Sequence, residues 1–352
     1  MDFIKDVVDV QITNTTGNTN TTDLNTILIM AKHTTVFKAG ELFRVYTELA
    51  DALKDGFAKT SYVYKAIQIG LSQSRRPRRI VVSAGVTADD YEDMFQKMLM
   101  IQQGWLWLVS DLRDTEKQLS LAKVVQTTEK FYVAGTSDPT ALTATEADIG
   151  ILVKNNNLSQ TYCWFDAVDA DLETYGAGEI ALLGRCGGDI AGTVQFLLKE
   201  LQGIVVSPLI DIKTKQITLT TKGYTFAAIG NKKLYAFGAG KLGNGEWIDI
   251  GLATTWIKVN IRERVFNTLT STDKLPMEND GASVIEGDVR SVLMEASEIG
   301  IIAKDSPIIV TVPDVTTLTK AMRASRNLPR VRFEARLSGA ITATQILGSV
   351  YE

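Results

Sequence analysis

Residues 79–110 read RIVVSAGVTADDYEDMFQKMLMIQQGWLWLVS, and their pattern indicates the fold class. The apolar segments Arg79–Val82 and Trp105–Ser110, at the two ends, have the length and composition of buried β-strands. The acidic pair Asp89–Asp90 suits the N-terminus of a helix between them. Five apolar residues then recur at helical spacing: Tyr91, Met94, Phe95, Met98 and Ile101. The stretch therefore predicts a strand–helix–strand unit.

The same alternation of strands and helices extends over residues 27–210. Another amphipathic helix is predicted from one apolar face, formed by Leu42, Tyr46, Leu49, Ala50 and Leu53. Further strands are predicted at Ile27–Met30, Phe131–Ala134, Tyr162–Ala167 and Ile204–Ile210. Strands that alternate with helices of this length favour an open, largely parallel sheet. We therefore predict an α/β domain over residues 27–210.

The pattern changes after residue 211. Residues 232–251, KKLYAFGAGKLGNGEWIDIG, indicate two strands around a glycine-rich turn. Two helices are predicted next, from Trp256 to about Thr270 and over about Glu286–Ile299. The last predicted strands are Pro307–Val312, Arg330–Leu337 and Ile341–Tyr351. Residues 211–335 should thus form a C-terminal α+β part, and the whole chain is α+β overall, with an open mixed or parallel sheet as its core.

The two ends of the chain indicate strand-like arms. Residues 1–13 alternate apolar and other residues, and residues 14–26, NTTGNTNTTDLNT, follow as a polar linker. Residues 336–352 supply the second arm. Because a lone strand cannot satisfy its backbone or bury an apolar face, each arm should dock on a sheet, its own or another molecule's. The predicted interface residues are Ile4, Val8, Val10, Ile12, Ile341, Ile346, Val350 and Tyr351.

Composition excludes several classes of protein. The chain has 352 residues, 45% of them hydrophobic, and a formal net charge of -4, which gives no overall attraction to nucleic acid or anionic membrane. Cys163 and Cys186 are too few for a disulfide framework and are predicted as core residues. The N-terminus does not resemble a signal peptide, and no apolar run reaches the length of a membrane span. We expect a cytosol-like compartment.

No motif singles out an active site. Gly238, Gly240 and Gly243 satisfy GxGxxG, but the residues that follow, NGEWIDIG, are predicted as a strand and not as the helix that dinucleotide binding requires. His33 is the only histidine and lies near no nucleophile motif. We predict no enzyme, cofactor or metal. An α/β enzyme or nucleotide-binding protein remains the alternative, since carboxylate pairs do acid–base chemistry without histidine.

Two basic clusters stand out from the mild overall charge. The loop Arg75–Arg79 contains four arginines around Pro77 and indicates either a nucleic-acid patch or, with better fit, a solvated loop or a contact to an acidic partner. Residues 320–336 carry six basic residues against Glu334, a local charge of +5. We expect this excess to orient an acidic surface of another protein. The residues assigned to that contact are Arg323, Arg326, Arg330 and Arg332.

Four segments together resemble the tail sheath proteins of contractile-tailed bacteriophages, in a divergent sheath-like branch formerly catalogued as phage protein of unknown function. They are residues 71–82 (LSQSRRPRRIVV), 181–203 (ALLGRCGGDIAGTVQFLLKELQG), 230–269 and 330–352 (RVRFEARLSGAITATQILGSVYE). The third departs from the family pattern between Asn231 and Tyr235, which three residues separate. Residues 104–180 carry little resemblance.

The resemblance implies a virion structural protein without an active site. Sheath subunits polymerise into stacked rings and a helical tube around the tail tube, and terminal arms add strands to the sheets of neighbouring subunits. The implied partners are the chain itself, the tail tube protein, and baseplate and tail terminator proteins, with assembly in the host bacterial cytoplasm. Sheath contraction then drives genome ejection. Another tail component is a further alternative, although a tube protein would be a smaller all-β chain.

Overall fold

A computed structural model describes residues 26–34, 37–38, 40–87, 90–101, 104–166 and 177–345. Eight strands in this part of the chain form one sheet, in the order β2-β3-β1-β4-β5-β6-β7-β8. The strands are β1 (Ile27–Met30), β2 (Phe43–Tyr46), β3 (Ile80–Ser83), β4 (Trp107–Ser110), β5 (Phe131–Thr136), β6 (Thr161–Phe165), β7 (Tyr224–Gly230) and β8 (Lys233–Gly238). A separate sheet pairs β9 (Ile309–Thr311) with β10 (Arg332–Glu334).

The large sheet is parallel through its centre and antiparallel at both edges. Strands β3, β1, β4, β5, β6 and β7 are parallel neighbours, and β2 and β8 close the two edges as antiparallel strands. The central strands are buried on both faces, as expected where helices cover a parallel sheet. The predicted fold class, an open mixed or parallel sheet with helices, is confirmed.

Ten α-helices surround the sheet in the described residues. They are α1 (Leu49–Lys54), α2 (Tyr62–Ser72), α3 (Tyr91–Leu99), α4 (Thr115–Val125), α5 (Ile149–Asn155), α6 (Gly178–Cys186), α7 (Lys213–Lys222), α8 (Ile248–Ser271), α9 (Asn279–Glu298) and α10 (Lys320–Ala324). Helices α1, α2, α6, α8 and α9 contribute to the core on one face, and α3, α4, α5 and α7 to the core on the other. The helical face predicted behind Asp89–Asp90 is confirmed as α3, which begins at Tyr91.

Two predicted elements between residues 27 and 210 are wrong. The helix predicted from Leu42 to Leu53 is a strand followed by a short helix, because Phe43–Tyr46 pairs with β3 and its apolar residues fit either period. The strand predicted at Ile204–Ile210 is an irregular loop. Its apolar ends are buried, and Pro208 lacks the N–H that a sheet ladder requires.

The glycine-rich segment after β8 is also different from the prediction. The first of the two predicted strands is present as β8, but a helix follows the turn in place of the second strand. Trp247 has an extended backbone and directly precedes α8, which starts at Ile248. Asp249 occupies the first helical turn, where a carboxylate is favourable. Since β7 and β8 complete the large sheet, that sheet spans both regions predicted as separate, residues 27–210 and 211–335.

A buried ion cluster joins the sheet to the long helix α8. Glu129, just before β5, accepts two hydrogen bonds from the guanidinium of Arg262, at 2.8 and 3.0 Å, and lies 3.0 Å from the Lys258 ammonium. All three side chains are largely removed from solvent. Two cations around one carboxylate fix the position of α8 on the sheet, because removing one partner leaves a buried charge uncompensated.

Helices α2 and α6 approach closely enough to require a glycine. A Cβ atom on Gly184 would lie 2.6 Å from the carbonyl oxygen of Gly70, well inside contact distance. The backbone of α2 therefore occupies the space that any side chain at position 184 would need.

Replacing Glu129 with alanine should strongly destabilise the subunit. Arg262 and Lys258 would lose their shared counter-ion in a buried site, at a cost of about 3–5 kcal/mol in the free energy of unfolding. Glu200→Ala, which breaks the exposed Lys233–Glu200 pair, is the control and should cost at most about 1 kcal/mol. Urea denaturation measures both variants, and equal costs would contradict the assigned role of Glu129.

Two glycine substitutions should change stability in opposite directions. Gly184→Ala should destabilise by about 1–3 kcal/mol, since the added methyl overpacks the α2–α6 contact. Gly287→Ala, in an open position of α9 with no atom within 4 Å of the added Cβ, should stabilise by roughly 0.5–1 kcal/mol. Thermal and urea unfolding give both values. A neutral Gly184→Ala variant would show that the two helices lie further apart.

Candidate assembly interface

The small β9–β10 sheet lies on the α8–α9 side of the molecule and continues beyond its two named strands. Phe333 is opposite Val310 in an antiparallel register. Further along, Leu337 bridges to Ile302, and the Ala303 N–H donates to the Arg336 carbonyl over 2.8 Å. Residues 332–338 therefore form an extended segment that pairs on one side only.

The sequence of this segment explains its two faces. Phe333, Ala335 and Leu337 are half-buried and pack on the main hydrophobic core, whereas Arg332, Glu334 and Arg336 between them are exposed. This alternation is the period of two expected for a strand with one buried and one solvent-exposed face. The predicted strand Arg330–Leu337 is present, although its regular part is confined to Arg332–Glu334.

The outer edge of β10 carries no strand among the described residues, because the small sheet contains β9 and β10 alone. An unpaired edge presents a row of backbone N–H and C=O groups to any incoming strand. Two-stranded sheets are also marginal by themselves, and a third strand would extend the apolar face that already lies on the core. The arrangement can therefore accept a strand from another segment or another molecule.

Most of the predicted arm residues lie outside the described part of the chain. This holds for Ile4, Val8, Val10 and Ile12 in the N-terminal arm, and for Ile346, Val350 and Tyr351 in the C-terminal arm. Ile341 is described and is 90% exposed. Residues 341–345 form no strand, which corrects the predicted strand Ile341–Tyr351 over that part. The physical reason is that no described segment pairs with them.

The last anchor of the described C-terminal segment lies at Ala340. Its backbone lies near the carboxylate of Asp249 in the first turn of α8. Burial raises the pKa of Asp249, and nearby backbone groups, that of Ala340 among them, act in the opposite direction. Ile341 then projects into solvent, so a large apolar side chain is left uncovered one residue after the chain leaves the core.

The four arginines assigned to an electrostatic contact differ in their surroundings. Arg323 is half-buried and donates to the Leu318 carbonyl over 2.7 Å, so part of its role is to hold the local backbone. Arg326, Arg330 and Arg332 are exposed, and within the described chain no carboxylate pairs with them. Arg330 and Arg332 flank the start of β10. Three free positive charges therefore lie beside or near the open sheet edge.

The other basic cluster is partly structural. Arg75 pairs with Asp189 at 2.9 Å, and Arg79 donates to the Thr26 hydroxyl over 3.1 Å. Arg76 and Arg78 are exposed. Half of the cluster thus fixes the loop at the N-terminal ends of the sheet strands, and only two arginines are available to a partner.

The residues considered for catalysis are not assembled into a site within the described structure. The Nε2 atom of His33 contacts the Ser83 carbonyl oxygen at 3.0 Å, and its ring packs edge-on against Phe37 and Phe57. Cys163 and Cys186 are buried core residues, and burial raises the pKa of the Cys186 thiol to about 12. The described residues contain no cluster of three metal-ligating side chains. Among them, no helix combines the length and hydrophobicity needed to cross a membrane.

Sequence reasoning missed two features of this surface. The open edge of β10 is a product of long-range pairing, although the alternation from Phe333 to Leu337 signals the strand itself. The second is a cleft of about 420 Å³ beside the turn between β8 and α8. The sequence does not indicate this cleft, because the pattern of Asn244–Gly251 predicts a strand and not the start of a helix.

Comparisons with known proteins agree with this architecture. No family model matches the sequence, and no curated protein matches it either. The structure is similar to a protein of the anti-feeding prophage baseplate, with a TM-score of 0.67 and 10% identity over 98% of both chains. It is also similar to the contracted helical sheath of the anti-feeding prophage, with a TM-score of 0.63 and 11% identity over 98% of this chain and 97% of the other.

A crystal structure of a sheath tail protein from Listeria innocua is similar as well. The TM-score is 0.58 at 9% identity, over 90% of this chain and 96% of that one. Likeness along nearly the whole length confirms the fold that the sequence resemblance implied. The chain has the fold of contractile tail sheath proteins.

Proposed function

We propose that the protein is the structural subunit of a phage contractile tail sheath, which polymerises into a helical tube around a tail tube and drives contraction. The observation that carries this proposal is the open edge of β10, on a two-stranded sheet whose apolar face already packs on the core. The sheath-like fold supports it independently. The subunit then needs no active site, because its output is mechanical.

Terminal strands supply the joints between subunits in this proposal. An arm of residues 1–13, or the C-terminal residues from Ile341 onward, would add to the β10 edge of a neighbour. Each added strand contributes about five backbone hydrogen bonds, and each bond contributes about 1 kcal/mol net. One joint is modest, but linked joints act at high effective concentration. Contacts of this heterologous kind do not close on themselves and generate filaments.

The linker sets how far joined subunits can separate. Residues 14–26 span at most roughly 40 Å when extended, at about 3.3 Å per residue. A joint of that reach stays attached while subunits turn and slide. The interface residues Ile4, Val8, Val10, Ile12, Ile341, Ile346, Val350 and Tyr351 are proposed to provide the apolar side chains of the added strands.

Electrostatic attraction favours binding of the N-terminal arm at the β10 edge. Residues 1–13 contain Asp2, Asp6 and Asp9 against Lys5, a net charge of -2, and residues 320–336 carry +5. Arg326, Arg330 and Arg332 would attract the arm and set its register, with Arg323 holding the loop beneath them. The same cations would also suit an acidic surface of the tail tube protein. Baseplate and tail terminator proteins are the remaining proposed partners, in a tail assembled in the host cytoplasm.

A nucleotide-binding role is the second candidate, because the structure does place a helix after Gly238, Gly240 and Gly243. Two features oppose it. The strand before the turn, β8, is an antiparallel edge strand and not the parallel strand of a βαβ unit. Asp249 also lies in the first turn of α8, where a phosphate would bind. A thermal-shift screen decides, since a nucleotide at about 100 times its dissociation constant stabilises by about 2.7 kcal/mol. We expect no shift.

Deleting residues 1–13 should abolish tube formation without unfolding the subunit. The deletion removes a strand that the described core does not need, so circular dichroism and thermal unfolding should be unchanged while electron microscopy shows no tubes. Replacing Thr15 and Thr16 in the linker by serine is the matched control and should leave tubes intact. Normal tubes from the truncated chain would contradict strand exchange by this arm.

Reversing the free positive charges should slow assembly more than it weakens the subunit. The triple variant Arg326→Glu, Arg330→Glu, Arg332→Glu should lower the rate of tube growth in light scattering, most strongly at low salt, because screening already weakens the attraction at high salt. Lys304→Glu, at another exposed cation, is the control. Equal growth rates for the triple variant and Lys304→Glu would remove these arginines from the interface.

A further inference from the structure

A cleft of about 420 Å³ opens at one end of the large sheet. Its walls are α5, the C-terminal end of α7, and the turn that joins β8 to α8. The turn approaches α5 closely: a Cβ atom on Gly243 would lie 2.4 Å from Val153 Cγ1. The cleft is therefore bounded by well-packed elements.

The chemistry of the cleft changes from its floor to its rim. Val153, Cys163 and Leu242 make an apolar floor. Thr161 also lines the cleft and is fully buried, and its hydroxyl Oγ1 has no hydrogen-bond partner in the described structure. A buried hydroxyl without a partner costs free energy, so this atom indicates that a polar group of an occupant belongs next to it.

The rim is basic and aromatic. Lys154 on α5 is exposed, and the Lys241 ammonium lies 5.1 Å from the centre of the Trp247 ring. Trp247 itself is 37% exposed. The cleft therefore suits an apolar ring with a polar tip, followed closely by a carboxylate. A tyrosine with a neighbouring glutamate has that chemistry, because a buried tyrosine buries a large apolar area and needs a partner for its hydroxyl.

The C-terminal segment of this chain has that sequence, and the described chain that leads to it comes near the N-terminus of α8. Residues 346–352 read ILGSVYE, with Tyr351 directly before Glu352. The chain passes Val310 at Phe333, passes Ile302 at Leu337, and meets Asp249 at Ala340. Asp249 lies two positions after Trp247, which lines the cleft. The described chain is thus near the N-terminus of α8 at Ala340, a few residues before the segment begins.

The length of the segment is sufficient. From Ala340 to Tyr351 the chain spans at most roughly 36 Å, at about 3.3 Å per residue. Ala340 lies near Asp249 at the start of α8, so an intramolecular contact of the segment benefits from a high effective concentration. The opposite charges of Glu352 and the rim lysines add to it.

We propose that the cleft is a binding site for residues 346–352 of the same chain in the unassembled subunit. The Tyr351 ring occupies the apolar floor, its hydroxyl hydrogen-bonds to Thr161, and Glu352 faces Lys154 and Lys241. The site stands apart from the proposed sheath function. In a sheath it would keep the C-terminal arm on its own subunit until a neighbour's sheet edge replaces the cleft as its partner.

A cross-linking experiment on dilute, unassembled full-length subunits tests the proposal. The variant Lys154→Cys, Glu352→Cys is treated with a short bis-maleimide, and Lys304→Cys, Glu352→Cys is the control. Both variants also carry Cys163→Ala and Cys186→Ala, because Cys163 lines the cleft and could react in place of the introduced cysteines. We expect an intramolecular cross-link, independent of protein concentration, in the first variant and not in the control. Cross-links only between molecules would assign the cleft to another copy's tail and overturn the proposal.

Quenching of Trp247 fluorescence by acrylamide gives a second readout. Tyr351→Ser should increase the quenching, whereas Ser349→Ala should leave it unchanged, and Trp247→Phe identifies the signal. Unchanged quenching together with no cross-link would overturn the proposal, as would stabilisation by a nucleotide that Lys241→Glu removes. None of these measurements reads tube formation, so a failure here is distinct from a failure of the sheath proposal.

Discussion

The backbone N–H and C=O groups at the outer edges of a sheet need hydrogen-bond partners, and the two sheets of this molecule differ in how their edges are covered. The outer edge of β8 is covered by the chain itself: Leu198 N–H donates to the Ala236 carbonyl over 2.8 Å, and Leu201 N–H donates to the Leu234 carbonyl over 2.9 Å. At the other edge, Arg44 in β2 pairs with Glu41 and Asp55, and edge charges discourage further pairing. The outer edge of β10 has charged side chains too, Arg332 and Glu334, but no described segment covers its backbone. The large sheet is thus built to stay closed, and the small one to accept a partner.

The sequence predicts the large sheet well because its evidence is local. Short apolar runs separated by amphipathic helices reproduce β1, β3, β4, β5 and β6 within a few residues. Prediction fails where one local pattern fits two structures, as in residues 42–53, whose apolar spacing suits a strand and a helix. It also fails at Trp247–Gly251, where β-branched and aromatic residues favour a strand but Asp249 and the packing of α8 produce a helix. In both segments tertiary contacts decide between two acceptable local choices.

The candidate interface is less predictable for a different reason. The alternation of residues 331–337 shows which side chains face the core. That no third strand pairs with β10 in the described chain depends on how distant segments pack, which the local sequence does not indicate. The same limit applies to the Glu129–Arg262 pair, whose members are 133 positions apart. No spacing in the sequence indicates that these residues meet. Charge clusters are visible in the sequence, yet only the structure separates Arg323, which supports its own backbone, from Arg326, Arg330 and Arg332, which are free to meet another molecule.

The buried charges also bear on how such a subunit would move. Ion pairs link the layers of the molecule at two places in the described chain, Glu129 with Arg262 and Arg113 with Glu179, and the pair Lys222–Asp148 joins α7 to the start of α5 within one layer. Sliding one layer over another would separate at least one pair in a site without water to replace it, at several kcal/mol. The cheaper motion is rotation of the whole subunit as a rigid body. A polymer of such subunits must then change shape at the connections between them, which in the proposed function are made by the open β10 edge and the two terminal arms.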